Sequence, residues 1–167
     1  MPIAACMALV RDLLDGIGMP GGAQDLAAYL NPPDPNAESD FPTAYILDAS
    51  GPEKRLTMPR NLGPNTSAGD KTISHTIRIT VVYYMASDDP EGDTLFGGIM
   101  DGIMKALRLA WPMPAILTDP YDGTQTQAIN AGEEMSYTRL PPQATKNQRF
   151  NLWQGIIMVP VLELLEA

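Results

Sequence analysis

Residues 73–85 read Ile-Ser-His-Thr-Ile-Arg-Ile-Thr-Val-Val-Tyr-Tyr-Met, and this run constrains the fold more than any other part of the chain. Ile73, Ile77, Ile79, Val81, Tyr83 and Met85 take the odd positions, with Ser74, Thr76, Arg78 and Thr80 between them. Successive side chains of a strand point to opposite faces, so the pattern predicts one long strand with a buried face and a wetter one. It exceeds the usual strand of roughly 5–6 residues.

An acidic turn follows, made of Asp88, Asp89, Pro90, Glu91, Gly92 and Asp93. Leu95, Ile99, Ile103, Ala106, Leu107 and Ala110 then recur at helical spacing. Asp93 is the expected N-cap, and the acidic start and the later Lys105 and Arg108 suit the helix dipole. Gly97, Gly98 and Gly102 each cost about 1 kcal/mol relative to Ala, which points to close approach of another backbone or to a frayed first half. Trp111-Pro112 ends this helix.

Upstream, Ile3, Cys6, Leu9, Val10, Leu13, Leu14 and Ile17 mark a first helix, stopped by Gly16, Gly18 and the Met19-Pro20-Gly21-Gly22 run. Residues 23–30 read as a short helical turn, and the proline-punctuated 31–40 as a loop. Residues 41–48 read as a short strand that opens with Pro42, where a missing N–H is tolerated. Residues 49–72 form a long polar stretch without a hydrophobic pattern, carrying Lys54, Arg55, Arg60 and Lys71, four of the 11 basic residues. A connection of that length is uncommon unless it is functional or disordered. The two flanking strands and this excursion therefore read as a hairpin with an extended tip.

Downstream, Ile116-Leu117 precedes a turn at Asp119-Pro120-Tyr121-Asp122-Gly123. Residues 127–130 and 135–140 are short strand candidates, and 141–148 reads as a loop. Residues 152–165 form a long apolar strand in which Pro160 marks an edge, a bulge or a break.

A length of 167 residues makes one domain over 1–167 the natural expectation. The net charge of −9 and the pI near 4.4 argue against tight nucleic-acid binding, which needs Lys and Arg to neutralise phosphates. They do not argue against a surface that DNA passes without sticking. The single cysteine, Cys6, excludes an intramolecular disulfide and reads as a buried small hydrophobe. No window approaches the ~20 apolar residues of a membrane span, and no signal-peptide pattern opens the chain. The expectation is a soluble, unexported protein with no membrane partner.

The chain carries no catalytic constellation. His75 is the only histidine, so one chain cannot build a histidine metal cluster. Ser74 neighbours it but points to the opposite face of the strand, so that pair fails as a serine–histidine couple. The acidic turn lacks the spacing and terminal Glu of a calcium loop. Gly97-Gly98 lacks the Lys-Ser/Thr of a phosphate cradle. Glu133-Glu134 read as solvated turn residues, and the scattered methionines as adaptable packing. The expectation is a non-enzyme with no cofactor, metal or catalytic residue.

The order of elements resembles the tail terminator proteins of long-tailed bacteriophages and the related tail-completion and neck proteins. The likeness rests on the N-terminal helix, the Phe41-Pro42-Thr43-Ala44-Tyr45-Ile46 strand, the long tip and the Thr76-Ile77-Arg78-Ile79-Thr80-Val81 strand. The acidic turn, the amphipathic helix and the closing Leu152-Trp153-Gln154-Gly155-Ile156-Ile157-Met158-Val159-Pro160-Val161 complete it. Segments 20–40 and 49–72 are longer than a minimal member needs, and Pro160 interrupts the last strand.

The resemblance implies an α+β fold: a mostly antiparallel sheet with both helices packed on one face. It implies a structural virion protein, assembled in the bacterial cytoplasm, whose copies form a ring, commonly six. That ring caps the tail tube and joins it to the head–tail connector or stopper, and DNA passes through without specific binding. Lys54, Arg55, Arg60 and Lys71 are then expected to face protein partners. Asp88, Asp89, Glu91 and Asp93 are candidates for the channel wall. A head-side stopper, a baseplate component, or a small enzyme or ligand-binding domain are the alternatives.

Overall fold

The computed structural model describes residues 2–19, 25–30, 42–48, 54–57, 71–110, 115–118, 125–129, 135–146 and 148–165. The elements run α1 (Pro2–Leu14), β1 (Ala27–Tyr29), β2 (Thr43–Asp48), β3 (Lys54–Thr57), β4 (Lys71–Ala86), α2 (Gly92–Ala110), β5 (Ala115–Thr118), β6 (Gln125–Ile129), β7 (Ser136–Ala144) and β8 (Phe150–Leu165). The protein is α+β with a mostly antiparallel sheet: among the described strand pairs, only β1–β2 is parallel.

Two 16-residue strands, β4 and β8, pair along their whole length, from Lys71↔Leu165 to Ala86↔Phe150. They form the spine of the sheet. On the outer side of β4, β3 pairs its first residues and β2 its middle. On the outer side of β8, β7 pairs residues 151–158 and β6 pairs 162–164. Pro160 therefore neither breaks nor ends β8. Thr76 of β4 stands opposite it, and on the outer side none of the described strands pairs with it.

The alternation of β4 decides which face is dry. Ile77, Ile79 and Val81 are fully buried, Met85 nearly so, and Arg78 is exposed. Register places Ile46 and Ile157 beside Ile79, and Ala44 and Gly155 beside Val81. These residues, except Gly155, form one core with Cys6, Val10 and Leu14 of α1 and Phe96, Ile99, Met100, Ile103, Met104 and Leu107 of α2. The α2 set recurs every three or four residues, so the helix buries one stripe. Trp153 seals this face at one end, its ring centroid 5.9 Å from that of Phe96. A Cβ on Gly155 would lie 2.5 Å from Met100 Sδ, so the flexible end of Met100 occupies the space that a side chain at 155 would need. No described helix is long and apolar enough to cross a membrane.

Several local readings need correction. Residues 27–29 are strand, not a helical turn: Ala27 N donates to Pro42 O (3.1 Å) and Ala28 N to Asp15 Oδ1 (3.1 Å). Gly16, at φ 79°, turns the chain so that its N–H reaches Leu26 O (2.9 Å). Part of the supposed 49–72 loop is β3, and Lys71 and Thr72 already belong to β4. Likewise β7 runs on through Pro141 and Pro142 to Ala144, with a register shift between Leu140 and Gln143 that accommodates the prolines.

Candidate interaction surfaces

The sheet has two chemically different ends. At one end β4 runs into the acidic turn. Asp89 N donates to Ala86 O (3.1 Å), Asp89 Oδ1 accepts from Glu91 N (2.9 Å), and Leu95 N donates to Glu91 O (2.9 Å). Asp89 thus organises the approach to α2, the part expected of Asp93 as N-cap. Asp93 instead lies in the first turn of the helix, and its carboxylate and carbonyl both accept from Arg139 Nη2 of β7. The side chains of Asp88, Asp89, Glu91 and Asp93 are all exposed.

The β7–β8 turn is fastened to this same end. Ser87 N donates to Arg149 O (3.0 Å), and Ser87 Oγ donates to Gln148 O (2.9 Å). Gln148, at φ 53°, closes the turn with its N–H on Thr145 O (2.8 Å). Exposed Lys146 and Arg149 therefore stand in the turn next to Asp88 and Asp89. Sequence reading missed this neighbour, because the two turns lie about sixty residues apart and only the β4–β8 register brings them together.

The expected basic contacts fall at the other end. Lys54 and Arg55 of β3 stand opposite Ser74 and Ile73, and Lys71 stands opposite Thr57 and Leu165. Arg60 lies outside the described residues. Sixteen residues at about 3.3 Å each separate the ends of β4 by roughly 50 Å before twist and curvature. The acidic and basic groups are not one site.

Between these ends, the face of the sheet away from the core carries a mixed surface. Register sets Tyr29, Tyr45, Thr80, Ile156 and Thr138 in one row across the strands. The next row is Leu47, Arg78, Met158 and Ser136, and another is Thr43, Val82, Gln154 and Leu140. Tyr29 stacks on Tyr45 at 6.0 Å and is 52% exposed, and Phe150 at the far corner is 38% exposed. Tyr45, Leu47, Leu140, Ile156 and Met158 are half-buried. Thr43, Thr80 and Val82 of these rows are buried, although outside the core cluster. Among the residues with described side chains, Arg78 is the only charge on this face.

No group of three or more metal-ligating side chains converges among the described residues. His75 is half-buried on the core-facing phase of β4. No protein-family model and no curated protein matches this sequence.

Proposed function

We propose that this chain is a ring-forming structural subunit of a phage neck, of the tail terminator class. It caps the tail tube and joins it to the head–tail connector. The observation that supports this reading is the element order. An N-terminal helix leads to a short strand paired with a long one; a rigid acidic turn and one amphipathic helix follow, and a long last strand closes the sheet against the first long one. In this reading both helices pack on one face, as the core cluster is consistent with, and the excursion between β2 and β4, with β3 within it, docks on a partner.

The charges follow from the role. DNA that must leave through a channel is held back by phosphate contacts with a basic wall. The wall is therefore neutral or acidic, with Asp88, Asp89 and Glu91 as candidates. Lys54, Arg55, Arg60 and Lys71 turn toward the tube or the connector. The roughly 50 Å between the two groups allows them to serve different surfaces of one ring.

Electron microscopy of assembled particles tests the proposal. The expected image is a closed ring of copies at the head-proximal end of the tail, with tails that fail to join heads when the chain is omitted. A single copy per particle overturns it. A lumen lined by the four basic residues overturns the charge assignment.

A further inference from the structure

We infer that the core-distant face of the sheet around Arg78 is the contact surface for a second copy of this chain, packed head-to-tail, whose acidic turn supplies the counter-charge. The inference deepens the ring reading and rests on it for the number of copies, but not for the contact itself.

Size comes first. Five strands, β1, β2, β4, β8 and β7, lie side by side here. At about 4.8 Å per strand they span roughly 24 Å, and nine residues of β4 at about 3.3 Å cover roughly 30 Å. That frame is an upper bound of ~700 Å², because β1 spans only three residues and β2 six, and Thr43, Thr80 and Val82 within it are buried. It is of the order of the ~800 Å² that each partner contributes to a stable complex. The side chains suit that use. Tyr29, Tyr45, Leu47, Ile156, Met158 and Phe150 are apolar or aromatic, and none is fully buried.

Charge then selects the partner and the geometry. Arg78 stands exposed among these residues with no described carboxylate on its face. A two-fold, face-to-face pairing would put two copies of Arg78 into one buried layer, where like charges are costly. A head-to-tail contact avoids this and is the type that closes into rings. The chain itself carries a suitable anion: Asp88, Asp89 and Glu91 are exposed on a turn already ordered by its own hydrogen bonds, and in this contact they meet Arg78 instead of lining the channel, whose wall is then neutral. Little ordering entropy remains to be lost when that turn meets Arg78.

The test uses full-length protein and sedimentation equilibrium up to millimolar concentration. Arg78→Glu and the triple variant D88K/D89K/E91K are compared with wild type, alone and mixed in equal amounts. All four positions are exposed, and near-ultraviolet circular dichroism from the half-buried Trp153 checks that each variant folds.

Wild type is expected to self-associate. Each variant alone should bind its own copies about tenfold more weakly or worse. The equimolar mixture should recover association, because alternating copies restore an opposite-charge contact at every interface. An Arg78→Glu protein that associates like wild type overturns the inference, as does a mixture no better than its components or a strictly monomeric wild type. These outcomes leave the ring reading to the particle images. A ring that persists in particles built with Arg78→Glu keeps the ring and removes this surface from it.

Discussion

The two faces of the β2–β4–β8–β7 layer come from the same strands and differ in every respect that matters for packing. On one, Ile46, Ile77, Ile79, Ile157 and Val159 have no accessible surface, because α1 and α2 lie over them. On the other, hydroxyls, aromatics and an exposed arginine share the surface with half-buried aliphatics. Ser74, Thr76, Arg78 and Thr80 are interleaved with the isoleucines residue by residue. Period-two alternation therefore gives one stretch two surfaces: the odd residues from Ile77 to Val81 are sealed in the core, while on the even face Thr80 and Val82 are buried and Arg78 is exposed.

If that division is real, substitutions on the two faces must differ sharply. Phe96→Ala should be the most damaging. It removes a fully buried ring that touches Trp153 and lies under Arg139 (5.7 Å to the ring centroid), and it should cost about 3–5 kcal/mol in urea unfolding. A cost near 1 kcal/mol would mean the helix layer is loosely packed and would erase the contrast.

Gly155→Ala comes next. The added methyl collides with Met100, whose flexible end has to move, so about 1–3 kcal/mol is expected. Pairing it with Met100→Ala sharpens the point: the double variant should lose less than the sum of the singles if the two side chains compete for one space.

Asp15→Ala removes the carboxylate that accepts from Ala28 N and should cost about 1 kcal/mol. Asp15→Asn keeps an acceptor and should recover part of it. Should both variants unfold like wild type, β1 is held by its pairing with β2 alone.

Arg78→Ala, on the opposite face, should change stability by no more than about 0.5 kcal/mol. A loss comparable to that of Gly155→Ala would show that Arg78 supports the fold, and the difference between the faces would collapse.

These positions also show what was legible in the sequence. The long strand and the two helices were, because each carries a recurring apolar period over more than ten residues, and the closing strand was, because it is one long apolar run. β1 was not: Leu26, Ala27 and Ala28 favour helix locally, and only the parallel ladder to β2 and the Asp15 carboxylate make them strand. β3, with the sequence Lys-Arg-Leu-Thr, has no alternation to see, and its strand character comes from lying beside the first residues of β4. Pro141-Pro142 looked like a loop because proline removes two donors, yet β7 lies at an edge where those donors are not needed.

Of the candidate surfaces, the acidic turn could be read directly. Its fastening through Ser87 to Gln148 and Arg149 could not, nor could the Arg139–Asp93 pair, 46 positions apart. The row of Tyr45, Thr80 and Ile156 exists only once the register is known.

The β4–β8 ladder has a consequence in time. Ala86 pairs with Phe150, 64 positions later, and Lys71 with Leu165, 94 positions later. Pairings so distant in sequence are slow to form, because loop closure must come before any contact is gained. At a synthesis rate of about 5–20 residues per second, β4 emerges roughly 3–13 seconds before the start of β8 exists. Through that interval one edge of a long strand with a largely apolar face lies open, with β2 as the neighbour already made on the other side. The nascent chain is therefore most prone to pair with a stranger just before its last long strand arrives. Slower translation beyond residue 86 should lower the soluble yield without altering the finished protein.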